Sequence, residues 1–382
     1  MVSPEFSQLL PNTLLAMSLL DIVFVVAGLI LLIGGGEALV RGASTVATKA
    51  GISPLVVGLV VVSAATSTPE FAVTIDSVLQ GEPGLAIGNV VGSNIANILL
   101  ILGLSAIISP LAINRQVVRF DIPVMVALSL VMLIVSLDGR VEPLEGLLLF
   151  GGVVLHAVMS IRLGRKDAAM VREMEDSLPL GAKPVPIWLA IFLIVFGVGL
   201  LVLGARLMVL GAVAIAQSLG VSSLVIGLTV VAVATSLPEL ATSIVAILRG
   251  ERDMAVGNIV GSNIFNIGFV LGLSTVFFGE GIPVPQAAIS LDIPIMVATA
   301  IALLPIAFTG FVIARWEGWV FIGLFTAFII YVVLAATEHD ALTGFTSVML
   351  WFVIPILTVT LIAFTLYEIR IHKKNGKGVL GD

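Results

Sequence analysis

The sequence predicts an all-α integral membrane protein: an inverted-topology repeat of two five-helix units, ten core helices, plus one extra C-terminal transmembrane helix. Three observations lead there. The 382 residues are 59% hydrophobic and 11% charged, with a mean hydropathy of +1.20. A soluble domain carries about 25% charged residues, so this chain lacks the polar surface to coat itself in water. About ten nearly uncharged runs of roughly 20 residues are each long enough to cross a hydrocarbon core about 30 Å thick. Finally, residues 51–105 align without a gap to 220–274, with 32 of 55 positions identical. The period-2 alternation of a membrane β-barrel is absent, so the spans are helices.

The spans read at 20–42, 54–80, 86–109, 119–137, 143–162, 187–206, 222–248, 254–278, 289–309, 315–336 and 346–368. The long polar segment LGRKDAAMVREMEDSLPLGAKPVP divides them five before and six after. The organisation expected is a 1–19 outer segment, a first repeat over 20–162, a linker loop over 163–186, a second repeat over 187–336, and an extra helix with a basic tail over 337–382. The first twenty residues carry no basic stretch, so no cleaved signal peptide is expected. Residues 5–17 read either as a short outer-surface helix or as an extension of the first span.

With Met1 outside, 16 of the 18 Lys and Arg residues fall near the cytoplasmic face, leaving only Arg140 and Arg206 outside. The positive-inside rule therefore predicts a multi-pass protein of the inner or plasma membrane, N-terminus outside and C-terminus cytoplasmic. The net charge of −6 sits in loops and says little about partners; no nucleic acid is expected. Zero cysteines exclude disulfides, thiolate metal sites and cysteine nucleophiles.

Weaker similarity carries the repeat on to FDIPVMVAL (120–128) and LDIPIMVAT (291–299). Five helices per unit is an odd number, so the second copy enters the membrane from the opposite side. Such folds place substrate sites near the midplane, on interrupted helices. A duplicated scaffold without a site would retain small and apolar residues, whereas this duplication also retains charged and hydrogen-bonding ones.

Each copy carries Thr-Ser-x-Pro-Glu: Thr66, Ser67, Pro69, Glu70 and Thr235, Ser236, Pro238, Glu239. On a helix Thr and Glu lie i,i+4 and Ser and Glu i,i+3, so three oxygens share a face. The proline withdraws an N–H and breaks the helix, which is expected to free carbonyls around Ser63–Ala65 and Ala232–Ala234. The next helix of each copy carries Gly-Ser-Asn-x-x-Asn: Ser93, Asn94, Asn97 and Ser262, Asn263, Asn266. Gly88, Gly92, Gly257 and Gly261 are expected to let backbones approach closely. Asn94 and Asn263 read equally as ligands and as braces between helices.

Two carboxylates with hydroxyl, amide and carbonyl oxygens, and neither sulfur nor imidazole, suit hard cations. Ca²⁺ takes six to eight such oxygens, and the same groups can hold several Na⁺. Two bare carboxylates at the midplane cost at least several kcal/mol, so an empty site resists occlusion and a loaded one does not. That asymmetry implies exchange, competing cations sharing Glu70 and Glu239. Of the remaining ionisable groups, Glu37 and Arg41 read as a structural pair. Asp76 aligns with Val245 and reads as an interface residue or a lining of the outer access path. Asp121 and Asp292 read as helix caps, and His156 has no identified partner.

The motifs AATSTPEFAVT with GNVVGSNIANILLILG, and VATSLPELATS with GNIVGSNIFNIGFVLG, closely resemble the α-repeats of the cation/calcium antiporter superfamily, particularly prokaryotic sodium/calcium exchangers. The resemblance spans about residues 20–336. It implies a transporter rather than an enzyme, without a cofactor, exchanging several Na⁺ for one Ca²⁺ as the first helix of each half slides. By the same resemblance the ion ligands fall on Thr66, Ser67, Glu70, Ser93, Asn97, Thr235, Ser236, Glu239, Ser262 and Asn266. Some members, including potassium-dependent ones, have aspartate in place of Asn266, so asparagine argues against potassium co-transport and leaves stoichiometry open. The eleventh span lies outside the ten-helix pattern and suits anchoring or oligomer contact. The 163–186 loop is too short for a folded calcium-sensing domain. Rival readings are a proton/calcium antiporter, with the glutamates carrying H⁺, and a passive cation channel. An intramembrane enzyme is disfavoured by the absence of HExxH, paired catalytic aspartates and cysteine.

Overall fold

The computed structural model describes residues 19–175, 186–220 and 232–374. Its helices are α1 (Leu19–Ala50), α2 (Pro54–Leu79, broken at Ser67), α3 (Pro83–Ile108), α4 (Val117–Val135), α5 (Pro143–Glu175), α6 (Ile187–Ser218), α7 (Leu237–Leu248, preceded by a turn at Ala232–Ala234), α8 (Arg252–Phe278), α9 (Ala288–Phe308), α10 (Arg315–Ala336) and α11 (Ala341–Ala363, continuing to Lys374). Among the described residues ten helices are long and apolar enough to cross a membrane. Residues 5–17, read as a short outer helix or an extension of the first span, and the 222–231 part of the seventh span lie outside the described residues. Helix α5 continues into the segment expected as a linker, and α1 and α6 run well past their predicted ends at 42 and 206.

Prolines start α2, α3 and α5, where the missing N–H has no helical acceptor to serve. Gly81 and Gly250, at equivalent places in the two repeats, follow α2 and α7 with φ of 78° and 84°, a left-handed turn that a side chain would strain. Helices α3 and α8 form the centre; α10 and α11 lie at the periphery with their apolar sides exposed. That distribution suits lipid as the solvent.

The inverted symmetry is visible in the loops. Strand β1 (Leu111–Ala112) pairs antiparallel with β4 (Val312–Ile313), Leu111 opposite Ile313. Strand β2 (Arg140–Val141) pairs with β3 (Ile282–Pro283), Arg140 opposite Pro283. Each pair joins one loop of the first repeat to one of the second, and together they mark two opposite faces. The α2–α3 turn, with Gly84 against Pro285, lies on the β2–β3 face. The start of α8 lies on the β1–β4 face.

Helices α1 and α6 pack antiparallel along nearly their whole length. The seam is glycine spaced by seven: Gly28 meets Gly204, Gly35 meets Gly197, Gly42 meets Ala190, and Gly211 meets Asp21, each where an added Cβ would fall 2.5–2.8 Å from a backbone oxygen. Because 28, 35 and 42 align with 197, 204 and 211 in the repeat, the seam lies on the pseudo-twofold axis. Small residues let membrane helices pack closely where no water drives association.

Three pairings differ from expectation. Glu37 pairs with Arg249 beyond α7, not with Arg41; Arg249 Nε donates to Glu37 Oε2 at 2.6 Å. The tertiary packing of α1 on α7 supplies a guanidinium that sequence spacing could not reveal. Asp121 and Asp292 make no side-chain cap, because each helix already begins about one turn earlier, in a π-helical stretch. Asp121 Oδ1 instead takes His156 Nε2 at 2.8 Å and Ser160 Oγ at 3.1 Å, with Gln116 Nε2 at 3.3 Å from Oδ2. Phe120 stacks on His156. The histidine partner thus comes from tertiary structure, and this buried cluster ties α4 to α5.

Candidate functional site

The site is built from four interrupted helices. Helix α2 breaks at Ser67 (φ −79°, ψ 1°) and the second half-helix restarts at Thr68 with Pro69 in its first turn. Ser236 has the same conformation (φ −88°, ψ 5°) ahead of α7 and Pro238. In α3 and α8 the change falls at Asn97 and Asn266, each the first residue of a six-residue π-helical stretch (Asn97–Leu102 and Asn266–Leu271). π-Bulges commonly occur at functional sites. Glu70 and Glu239 thus stand in the first turns of half-helices, whose positive ends suit carboxylates. The half-helix that ends at Thr66 points its carbonyl end the same way.

Fewer carbonyls are free than expected. Ser63 O accepts from Ser67 N–H at 2.9 Å, Ala64 O from Thr68 Oγ1 at 3.0 Å, and Val233 O from Ser236 N–H at 3.1 Å. The local turn recaptures them. Only Ala65 O and Ala234 O face the prolines four residues on, which have no N–H to give.

The inverted symmetry brings the two motifs together in crossed pairs. Thr66 Oγ1 lies 3.4 Å from Ser262 Oγ, and Ser93 Oγ lies 3.4 Å from Thr235 Oγ1. Each contact joins the Thr of one repeat to the Ser of the other. Glu70 and Glu239 are both 0% exposed. The Thr66 hydroxyl faces the Glu239 carboxylate. The structure therefore places Thr66, Ser67, Glu70, Ser93, Asn97, Ser236, Glu239, Ser262 and Asn266 in the buried interior, with Thr235 beside Ser93.

Hydrogen bonding singles out the same residues. Among the described residues, fourteen buried side-chain polar atoms have no hydrogen-bond partner, and nine of them belong to Ser67, Glu70, Asn97, Ser236, Glu239 and Asn266. Buried polar groups are otherwise nearly always paired, and an unpaired one costs about 1–3 kcal/mol, more when charged. A set so concentrated leaves unspent hydrogen-bonding capacity in the buried interior. Among the described residues no group of three or more His, Cys, Asp or Glu could hold a metal ion. Any cation here is thus met by two carboxylates and neutral oxygens, chemistry that suits a hard, weakly held ion.

The two asparagines of uncertain role divide. Asn94 Oδ1 accepts from Asn266 Nδ2 at 3.2 Å, whereas Asn263 Nδ2 donates to its own helix at Ile259 O, at 3.1 Å. Both act as braces. Asn97 has both amide atoms unpaired, while Asn266 keeps only Oδ1 unpaired; the site is asymmetric at that position.

Asn89 and Asn258 are functional candidates missed in the sequence. Asn89 Nδ2 lies 3.1 Å from Glu70 O and 3.1 Å from Thr74 Oγ1; Asn258 Nδ2 lies 3.5 Å from Glu239 O and 3.1 Å from Ser243 Oγ. Asn258 Oδ1 also accepts from Thr66 Oγ1 at 3.3 Å. Each holds its glutamate's backbone to the neighbouring helix. The doubled Gly-Asn ahead of Gly-Ser-Asn was the available signal. Of the four motif glycines, Gly257 and Gly261 meet α2 backbone at distances a Cβ would not permit. The chain that Gly88 and Gly92 would meet by symmetry lies within 221–231, outside the described residues.

Known proteins share this sequence pattern and this fold. The sodium/calcium exchanger protein family matches residues 20–162 and 189–334, one block per repeat. The chain is 39% identical over 262 residues to the inner membrane protein YrbG of Escherichia coli, covering 67% of this chain and 79% of that one. It is 32% identical over 336 residues to the sodium/calcium exchanger MaX1 of Methanosarcina acetivorans, covering 79% and 95%. Its fold superposes on the sodium–calcium exchanger NCX_Mj soaked with 2.5 mM Na⁺ and 1 mM Sr²⁺ with a TM-score of 0.69, at 31% identity, covering 82% of this chain and 99% of that one. On these matches through both halves, the chain belongs to the sodium/calcium exchanger protein family, whose members are membrane transporters and not enzymes.

Proposed function

We propose that the protein is a secondary active antiporter that exchanges Na⁺ for Ca²⁺ by alternating access to one midplane site. Ten residues contribute ligands: Thr66, Ser67, Glu70, Ser93, Asn97, Thr235, Ser236, Glu239, Ser262 and Asn266. The observation that carries this reading is the cluster of unpaired buried acceptors centred on the two glutamates. Two carboxylates balance one Ca²⁺ or two Na⁺, and the surrounding hydroxyl and amide oxygens replace the hydration shell. Without ions, holding both carboxylates of the buried pair ionised costs several kcal/mol each. Occlusion without cargo is disfavoured, and that couples the movement of one ion to the return of the other.

The division into a first repeat at 20–162, a linker at 163–186, a second repeat at 187–336 and an extra helix beyond is part of this reading. So is the orientation. With 16 of 18 basic residues on one side, the β1–β4 face is cytoplasmic and the β2–β3 face is external. The name of the Escherichia coli relative, inner membrane protein YrbG, supports an inner-membrane setting.

The rival driving ion is H⁺. Protons need no Thr-Ser oxygen cage, so the crossed Thr–Ser pairs favour Na⁺. The test is ⁴⁵Ca²⁺ uptake into proteoliposomes driven by an imposed Na⁺ gradient at equal pH on both sides, against uptake driven by a pH gradient in Na⁺-free buffer. Uptake in the first arm alone is expected. Uptake only in the second arm would reassign the driving ion to H⁺.

A further inference from the structure

The repeat alignment extends without a gap through α1 and α6, so every residue of one gate has an equivalent in the other. Glu37 aligns with Arg206, Gly36 with Ala205, Ala241 with Ala72, Val245 with Asp76, and Arg249 with Gln80. On the β1–β4 side this gate is shut. Gly36 lies against Ala241 O and Val245 Cγ2 of α7, and Arg249 holds Glu37 across the seam between the two helices. Ser44 adds a contact to Glu251 at 3.4 Å. On the β2–β3 side the equivalent gate is open. Helix α6 makes no comparable packing with the second half of α2. Ala72 and Asp76 are exposed, whereas Val245 is buried. Arg206 is exposed and forms no ion pair among the described residues. Asp76 only accepts from its own helix neighbour, Gln80 Nε2, at 2.6 Å.

When an inverted repeat switches access, each half takes up the packing of the other. Helix α6 then lies on the second half of α2 as α1 now lies on α7. Arg206 arrives where Glu37 now sits, facing positions 80 and 76. Position 80 offers only an amide. The carboxylate is one turn earlier, at i−4 on the same helix face, where the second repeat has valine. Asp76 breaks the repeat, and Arg206 is the residue whose charge explains it. Because the glycine seam packs α1 and α6 into one body, Glu37 and Arg206 travel together, and one contact opens as the other forms.

We propose that Asp76 and Arg206 form an ionic latch that closes the β2–β3 side, replacing the Glu37–Arg249 latch that closes the β1–β4 side. The proposal rests on the alternating-access reading above, but its test does not depend on which ions are carried. The chain has no cysteine, so the unaltered protein serves as background. In proteoliposomes under cycling ion gradients, an Asp76→Cys/Arg206→Cys double variant is expected to cross-link with copper phenanthroline and to lose transport until reduced. Independently, Ala72→Cys is labelled from the β2–β3 side by an impermeant maleimide. Adding Asp76→Asn or Arg206→Gln should speed that labelling about two- to fivefold, the bias an exposed ion pair supplies. Glu37→Gln or Arg249→Gln should slow it by a similar factor, and the swap Asp76→Arg/Arg206→Asp should restore the parent rate. Absence of the cross-link in a double variant that still transports Ca²⁺ would overturn the latch. So would labelling shifts of the same sign for both pairs. Absent Ca²⁺ flux in the parent protein overturns the antiport reading instead, while cross-linking still reports on the latch.

Discussion

Replacing Glu239 by glutamine changes one charge and almost no volume, at a side chain that is 0% exposed and whose two carboxylate oxygens have no hydrogen-bond partner. In the ion-loaded protein, the change leaves Ca²⁺ facing one carboxylate, with a net positive charge buried. Removing one partner of a buried charge pair costs about 3–5 kcal/mol, and each 1.4 kcal/mol is tenfold. Ca²⁺ exchange at limiting concentration should therefore fall by roughly a hundred- to several-thousand-fold. In the ion-free protein the sign reverses. Wherever both Glu70 and Glu239 are ionised in that buried site, Glu239→Gln removes a buried charge and a repulsion together. The ion-free variant should melt at a higher temperature than the parent, and added Ca²⁺ should stabilise it less. The assays are ⁴⁵Ca²⁺ exchange in proteoliposomes and thermal unfolding in detergent, with chelator and with Ca²⁺. Exchange within tenfold of the parent refutes the paired-carboxylate site. A lower melting temperature of the ion-free variant refutes the claim that the empty pair is strained by its own charge.

Three further outcomes follow from the same geometry. Asn258→Ala removes the donor that holds Glu239 O and Ser243, and the acceptor for Thr66. It should weaken Ca²⁺ affinity by about 1–3 kcal/mol, measured as a raised half-saturation for exchange. Asn89→Ala, at a less buried position, should do so by less. Gly35→Leu drives a side chain into the α1–α6 seam, where even a Cβ would sit 2.8 Å from Gly197 O. It should lower the melting temperature and reduce transport together, whereas Gly34→Leu, which meets nothing within 4 Å, should change neither. Asp121→Ala strips His156 and Ser160 of their shared acceptor. About 1–3 kcal/mol of stability should be lost with the Ca²⁺ half-saturation unchanged, because that cluster braces α4 and α5 away from the glutamates.

Spans, inversion and the two motifs were legible in the sequence because each is a local or pairwise property. A bilayer demands a fixed length of apolar helix, and an odd helix count inverts the second copy whatever the packing. Pro69 and Pro238 announce their breaks because a missing N–H acts within one turn. The pairings that failed were those whose partner comes from another helix. Glu37 lay four residues from Arg41, so spacing suggested a pair, yet the structure supplies Arg249 from 212 positions away. Asp121 preceded a proline and looked like a cap, although its acceptor capacity goes to His156 across two helices.

By itself, then, the sequence determined that this chain crosses the membrane as two opposed copies and carries a glutamate on a broken helix in each. Hydropathy, parity and proline chemistry suffice for that. Only the tertiary structure decided how those copies meet. It crossed Thr66 with Ser262 and Ser93 with Thr235, and gave Asn89 and Asn258 the task of holding the glutamate backbones. It also shut one gate and left its twin open. The physical reason is that symmetry in sequence specifies two equivalent packings, and a single conformation can satisfy only one of them at a time.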